Sequence, residues 1–365
     1  MTHESIESGE AQRTVETEGP ECRLSVIIPA RNEERNLPHC LRTLLVQNKE
    51  AFRLGREWEL IVVDDSSGDR TLELALAIAA QQEGVRVMEA PAPDASAGPG
   101  AMTGKNNACW VGAQQARGAF LLFTDADTLH QPGDLELALE EIQRRQVGLL
   151  SYSPRQLVTG FWQRALMPLV FSELASAYPL QKVNDSASTL AAANGQFIMV
   201  EREAYFSLGG HSELGRSVLE DVELAGRMKR AGLRIWFRYA PDALSTHMYL
   251  GFSDMLEGWT KNFALLFSHP LALAVGRLLD LGLLFLPILL IPLHLLAWWQ
   301  RVALLLIWAR VLMRYFRRVA RSNFGAGDCV LSVFALPLFA GLLVRSWTLH
   351  RLLHRVRWKG REYRT

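Results

Sequence analysis

Ala119-Phe120-Leu121-Leu122-Phe123-Thr124, followed at once by Asp125-Ala126-Asp127, decides how this chain is read. The apolar run has the length and composition of a buried strand. Two carboxylates at period two then project to one face of its end, where they can share a divalent cation. Upstream, Leu24-Ser25-Val26-Ile27-Ile28-Pro29 is a β-branched run closed by a proline, and residues 33–46 follow with Leu37, Leu41, Leu44 and Leu45 at helical spacing. Leu60-Ile61-Val62-Val63-Asp64-Asp65 repeats the pattern, with a helix predicted over 71–82 and a third strand at 85–88. The Pro/Ala/Gly-rich stretch 91–104 reads as a mobile loop, and 105–116 as a helix. Apolar strands alternating with helices predict an α/β fold whose mostly parallel sheet is covered on both faces.

In such a sheet, ligands sit beyond the carboxyl ends of the strands. The polar residues collect there: Pro29-Ala30-Arg31-Asn32-Glu33-Glu34 after the first strand, Asp64-Asp65-Ser66-Ser67-Gly68-Asp69 after the second, and Asp125-Ala126-Asp127 after the fourth. Taken singly, Asp69 reads equally well as a helix cap, and Glu33 and Glu34 as a first turn favoured by the helix dipole. Three clusters on one sheet edge point to a site.

Charge is divided along the chain. From residue 270 onward 14 Lys/Arg stand against 3 Asp/Glu, which leaves 25 against 35 before it, so the net +1 conceals an acidic body and a basic, apolar tail. Cys22, Cys40, Cys109 and Cys329 are scattered without paired spacing, which excludes a zinc framework or a disulfide scaffold and fits a reducing, cytosolic setting. Residues 1–22 are polar and acidic, lack the apolar core of a signal peptide, and read as a disordered tail.

The ordered set Ile28-Pro29-Ala30-Arg31-Asn32-Glu33-Glu34, Val62 to Thr71, Gly104-Lys105-Asn106-Asn107-Ala108 and Asp125-Ala126-Asp127 resembles the family-two glycosyltransferases of GT-A fold. The resemblance covers residues 23–262. It implies a Rossmann-like GT-A domain in which Pro29, Ala30, Glu33 and Asp65 hold the nucleoside and Lys105 lies near the diphosphate. Asp125 and Asp127 would bind the sugar-side ribose and a divalent metal, Mg²⁺ or Mn²⁺. Charge logic agrees, since a hard cation takes carboxylate and phosphate oxygens together.

Val218-Leu219-Glu220-Asp221-Val222-Glu223-Leu224-Ala225 opens a helix that Gly232 ends. By the resemblance, Glu220-Asp221 is the catalytic pair and Asp221 the general base; an acidic first turn stabilised by the helix dipole is the plain alternative. A positioned base suits an acceptor hydroxyl, whereas a lipid phosphate is already ionised. Asn194-Gly195-Gln196 resembles the acceptor side, with Asn194 and Gln196 within reach of the sugar, although amides before a strand also serve turns. His247 is a candidate further metal ligand or a structural histidine. Processive members of the family carry Gln-x-x-Arg-Trp after the base. Here Glu257-Gly258-Trp259-Thr260-Lys261-Asn262 stands instead, which implies transfer of a single sugar. Trp259 and Lys261, together with Val356-Arg357-Trp358-Lys359-Gly360-Arg361, resemble the membrane-bound branch associated with hopanoid and carotenoid glycosylation.

Residues 263–365 form a membrane-associated helical region with a basic end. The 19 residues 281–299 hold no acid, Arg or Lys and end in Trp298-Trp299, long enough to cross a bilayer core. Residues 302–313 contain Arg310 and 329–344 contain Pro337, so neither is a secure span. Arg314, Arg317, Arg318 and Arg321, then Arg351, Arg355, Arg357, Lys359 and Arg361, all favour the cytosolic side; keeping both clusters there requires each apolar block to go in and return as a hairpin or re-entrant segment, whereas three full spans would put the tail outside. Residues 161–180 are broadly apolar and suit either a helix in the membrane surface or a packed core helix.

The expectation is a metal-dependent, inverting transferase that moves one hexose from a nucleotide diphosphate sugar, expected to be UDP-linked, to a hydroxyl-bearing lipid at the cytosolic leaflet of the cell membrane. No nucleic acid is expected as a partner. The alternatives are a polyprenyl-phosphate glycosyltransferase, or a scaffold or transport protein that binds nucleotide sugar without turnover. A nucleotidyltransferase is disfavoured, because the first loop is Pro29 to Glu34 rather than glycine-rich and basic.

Overall fold

The computed structural model describes residues 22–92, 102–215, 217–290, 296–358 and 361–364. The acidic tail expected at 1–22 therefore lies outside the described residues except for Cys22, as do residues 93–101 of the expected loop.

The chain alternates as the sequence predicts through β1 (Leu24–Ala30), α1 (Leu37–Leu45), β2 (Trp58–Asp64), α2 (Thr71–Ala79), β3 (Val85–Glu89), α3 (Gly104–Gln115) and β4 (Phe120–Phe123), after which come β5 (Thr128–His130) and α4 (Asp134–Arg145). It continues through β6 (Leu149–Ser153), β7 (Arg155–Gln156), α5 (Gly160–Ala177), α6 (Leu180–Asn184), β8 (Ile198–Glu201), α7 (Arg202–Ser207), α8 (Glu220–Arg230), β9 (Ile235–Tyr239) and β10 (Leu244–Thr246). Seven strands form one sheet in the order β3-β2-β1-β4-β8-β6-β9. The first four run parallel, and β8 runs antiparallel to both its neighbours. A small sheet β5-β10-β7 lies beyond the end of β4.

Every residue of β2 is buried, the mark of a strand covered on both faces. Val26, Ile28, Leu60 and Val62 pack on one side with α1 and α4; Ile27, Ile61, Val63 and Leu121 pack on the other with α3 and α8. Gly112 permits that second packing. A Cβ there would come within 2.6 Å of Ile27 Cγ2, so only glycine lets α3 settle this closely on β1. The helix predicted over 33–46 begins later, at Leu37. Asn32 is left-handed (φ 53°), and Glu33 O accepts the amides of Asn36 and Leu37 in a turn, which leaves 30–36 as a loop at the sheet edge.

The remaining elements are α9 (Phe252–Leu266), α10 (Pro270–Leu290), α11 (Trp298–Val319), a 3-10 turn at Ala320–Ser322, α12 (Ala326–Leu331), α13 (Leu336–Arg351), β11 (Arg355–Trp358) and β12 (Arg361–Arg364). Together with α5 they build a third core around Leu166, Val170, Trp259, Phe263, Phe339 and Leu343. The 161–180 stretch is thus a packed helix through its middle, with Phe161 and Trp162 exposed at its start.

The apolar run 281–299 is divided. One helix ends at Leu290 and the next starts at Trp298, with 291–295 outside the described residues. Among the described residues two helical stretches are, by length and composition, apolar enough to cross a membrane, Pro270–Leu290 and Ala326–Arg351. Leu279, Leu286, Leu289, Leu306 and Ile307 are more than half exposed along α10 and α11, a concentration of apolar surface that water does not favour.

Charges tie these helices to the body. Arg318 of α11 reaches Asp280 of α10 (2.8 Å) and Glu173 of α5 (3.5 Å), and Arg277 reaches Glu173 (3.6 Å) and also bonds Asp280. Arg318→Ala leaves two largely buried carboxylates short of a cation and is expected to cost about 3–5 kcal/mol. Arg314, 69 % exposed and 3.6 Å from Asp280, is worth about 0–1 kcal/mol on truncation. Thermal unfolding of the two variants in detergent checks the contrast.

Candidate active site

A cleft of about 470 Å³ opens at the carboxyl ends of β1, β2 and β4. Pro29, Ala30, Arg31 and Glu33 enter from the loop after β1, Asp65 from that after β2, and Asp125, Ala126 and Asp127 from that after β4. β4 itself ends at Phe123, so the two aspartates stand on the turn into β5 rather than on the strand, with Thr128 N donating to Asp125 O (3.1 Å). The sheet edge does gather the three predicted clusters, but not every member of them. Asp64 accepts from Ser67 N (2.9 Å), and Asp69 accepts from Thr71 N (3.0 Å) and Glu34 N (3.1 Å). Those two acids build the loops; Asp69 fulfils the capping alternative.

Arg31 has no role in the sequence reading beyond its place in the motif. Its guanidinium donates to the carbonyls of Asp65 and Ser66 (2.9 Å to Ser66), tying the first loop to the second across the mouth of the cleft.

The far wall is built by α8 and the turn before β8. Asp221 Oδ2 accepts from Gly195 N (3.0 Å) and Oδ1 from Val222 N (2.8 Å), which fixes the carboxylate at the start of its helix. Lys105, in the first turn of α3, places Nζ 2.7 Å from Glu220 Oε1 and 2.8 Å from Asp125 Oδ1. Gly195 faces this cluster so closely that a Cβ there would lie 3.1 Å from Lys105 Nζ and 3.7 Å from Asp221 Oδ2. Lys261 of α9 contributes a second ammonium, and Asn194, Gln196 and Trp259 line the same cleft. Asn194 Oδ1 accepts Gln196 N (2.9 Å), and Gln196 Nε2 donates to Thr246 (3.0 Å), so the first amide also shapes the turn.

The arrangement divides the titrations. Its depth in the cleft, then the neighbouring charge of Glu220, pushes Asp221 up to about 6. Glu220 shares the burial that opposes ionisation, yet Lys105 and Lys261 hold it below the usual carboxylate range. Lys105 is held well above an ordinary lysine, because Asp125 and Glu220 outweigh its burial. Burial moves Lys261 the other way, down, against the pull of Glu220. One carboxyl near neutrality beside one firmly ionised is the pattern expected of an acid–base site.

The donor set fits a hard divalent cation. Asp125 and Asp127 both present oxygens to the cleft. Among the described residues no group of three or more His, Cys, Asp or Glu side chains is placed to hold a metal alone. One or two carboxylates completed by substrate phosphates is how Mg²⁺ is commonly bound. His247 does not face the cleft; it lines an adjoining cavity.

The remaining lining comes from residues that the sequence did not assign to the site. Phe171, Leu174 and Ala175 of α5, Tyr178 just past its end and Leu266 of α9 give an apolar wall, and Arg321, Ser322 and Asn323 reach in from just past the end of α11. Arg321 reads in sequence as one more membrane-flanking charge, and no local pattern reports that it comes to line a cleft built by residues far from it in the chain. Val356 to Trp358 lie in β11; Lys359 and Gly360 are outside the described residues.

Residues 25–205 match the model of glycosyl transferase family 2. The 4,4'-diaponeurosporenoate glycosyltransferase of Staphylococcus haemolyticus (strain JCSC1435) is 30 % identical over 252 residues, 66 % of this chain and 61 % of that protein. Its namesake from Staphylococcus aureus (strain MRSA252) is 28 % identical over 249 residues, 66 % and 60 %. The chain thus spans about 60 % of the length of these curated relatives. Among solved structures, the mannosyltransferase PcManGT from Pyrobaculum calidifontis, in complex with GDP-Man and Mn²⁺, superposes with a TM-score of 0.53 at 15 % identity, covering 92 % of this chain and 88 % of that one. That likeness is one of fold, and the fold is GT-A.

Asp221 is expected to titrate with a midpoint near 6 in carboxyl NMR of the full chain. Lys105→Met removes a charge that lowers this value, so the midpoint should move upward in that variant.

Proposed function

We propose that this chain, whose residues 25–205 belong to glycosyl transferase family 2, transfers one hexose from a nucleotide diphosphate sugar to a hydroxyl-bearing membrane lipid, with inversion at the anomeric carbon. One observation carries the reading. Asp221, poised near neutrality, faces the same cleft as the Lys105–Asp125 pair, and one wall of that cleft is apolar.

In this reading Pro29, Ala30, Glu33 and Asp65 bind the nucleoside, with the base against Asp65. Lys105 offsets diphosphate charge from where it now bridges Asp125 and Glu220. Asp125 and Asp127 would hold Mg²⁺ or Mn²⁺, which when bound supplies Lewis-acid stabilisation of the leaving diphosphate. Glu220, kept ionised by Lys105, maintains the field that raises Asp221. Asp221 Oδ accepts the proton of the acceptor hydroxyl as its oxygen bonds to the anomeric carbon and the diphosphate departs on the other face. Lys261 and the amides of Asn194 and Gln196 orient the sugar and acceptor head, with Trp259 beside them. The relatives named for diaponeurosporenoate favour a long, apolar acceptor. The exposed apolar sides of α10 and α11, with arginines about their bases, favour a membrane setting with the catalytic body on the cytosolic face.

Mass spectrometry of total membrane lipids from cells expressing the chain should show a species gaining one hexose. Asp221→Asn should lower its formation by about 10²–10⁴-fold. Formation undiminished by that change would point to an acceptor already ionised, such as a polyprenyl phosphate. Saturable UDP-sugar binding without any hexosylated lipid would favour a binding protein.

The base must be ionised to work, so kcat/KM should fall as pH drops through about 6 and level off above it. Stopped assays from pH 5 to 8 check the sign. EDTA should abolish turnover, and added Mn²⁺ or Mg²⁺ should restore it.

A further inference from the structure

Beside the cleft lies a second cavity of about 450 Å³. The two share Phe171, Tyr239, Ser322 and Asn323 as walls, so they are adjoining chambers with a common partition. Besides these the second chamber is lined by the apolar Leu157, Val158 and Phe324 and by the polar Arg155, His247 and Asp328. Phe171 and Phe324 meet edge to face, ring centroids 5.8 Å apart. Gln156, 8 % exposed, lines this chamber and has a buried Oε1 without a hydrogen-bond partner. Asp328 is paired with Arg164 (2.7 Å), and Phe161, on the helix of Arg164, and Phe334, just past that of Asp328, stand exposed with centroids 6.3 Å apart.

A pocket of some 300–1,000 Å³ holds one small molecule. At about 470 Å³ the cleft is at the lower part of that range, and a nucleotide diphosphate sugar occupies its polar end. The apolar remainder against Leu174, Ala175, Tyr178 and Leu266 takes the reacting end of a lipid and little more. The rest of a long acceptor needs somewhere to run.

We infer that the second cavity receives the non-reacting chain of an elongated amphiphilic acceptor, which passes Phe171 to reach it from the base in the first. The inference rests on the transferase reading for what happens at Asp221, but the binding of an amphiphile does not. Leu157, Val158 and Phe324 meet the chain, and the unpartnered Gln156 oxygen accepts from a hydroxyl carried along it. The exposed Phe161 and Phe334 beyond the Arg164–Asp328 pair give the path an apolar mouth on the lipid side. The loop Asn323-Phe324-Gly325 that closes this chamber belongs to the C-terminal helices, so the lipid path is completed only by that region.

Gly325 permits a clean obstruction. Its φ is −63°, and a Cβ added there meets nothing within 4 Å, so a large side chain is tolerated by the backbone at a residue that lines the chamber. Gly341 of α13 is equally open and lines neither cavity. The probe is trans-parinaric acid, a conjugated C18 carboxylic acid that fluoresces in apolar surroundings, titrated into the full chain in nanodiscs. Wild type should bind it saturably, Gly325→Trp should weaken binding at least tenfold, and Gly341→Trp should leave it unchanged. UDP affinity, measured alongside, reports whether the cleft is still folded. Should Gly325→Trp lose UDP binding, Val158→Phe provides the obstruction instead. Absence of saturable probe binding, or equal affinity in wild type and an obstructed, UDP-binding variant, overturns the inference. If the probe behaves as expected while no lipid gains a hexose, the transferase reading fails and the amphiphile path stands.

Discussion

The Lys105 ammonium, held 2.8 Å from Asp125 and 2.7 Å from Glu220, is the contact on which the site depends. It joins the first turn of α3, the loop after β4 and the first turn of α8, three segments drawn from residues 105 to 220. Without a cation among them, Asp125, Asp127, Glu220 and Asp221 would crowd like charges into one cleft. With Lys105 and Lys261 beside it Glu220 stays ionised, while burial and then the charge of Glu220 raise Asp221. The glycine at 195 belongs to the same device, since a side chain there would press on the ammonium and on both α8 carboxylates.

Much of this was legible in the sequence because strands buried on both faces leave an unbroken apolar signature, and the sheet's own geometry then decides where loops converge. The 24–30, 58–64 and 120–123 strands and the acids that follow them are of this kind. Legibility failed where a residue's role is set by a partner distant in the chain. Asp69 and Asp64 look as functional as Asp65, and only the amides they accept show them to be loop builders. Residues 161–180 have the composition of a surface-seeking helix. Their burial follows from a second apolar surface, on α9 and α13, that no local window contains. Arg321, Ser322 and Asn323 are the extreme case, brought to the cleft by the packing of α11 on α5.

The C-terminal helices are held by Glu173, Asp280, Arg277 and Arg318 rather than by apolar contact alone. Charges taken out of water add little net stability, but they fix which partners meet and in what register, because every misaligned pairing strands an ion. Glu173 lies on the same helix as Phe171, Leu174 and Ala175, which line the cleft, and Arg318 lies three residues before Arg321, which does likewise. A shift at the clasp is therefore a shift of the cleft wall.

The same clasp bears on how chains of this kind can be recombined. A tether joined by a loose linker could be exchanged for another, leaving the catalytic half to keep its own specificity. Here the segment from α10 onward brings part of the binding wall with it. Grafting it from a relative would carry that part of the cleft wall along with the helices, and removing it would uncover one side of the cleft. The C-terminal helices and the wall of the cleft are in this fold a single inherited character.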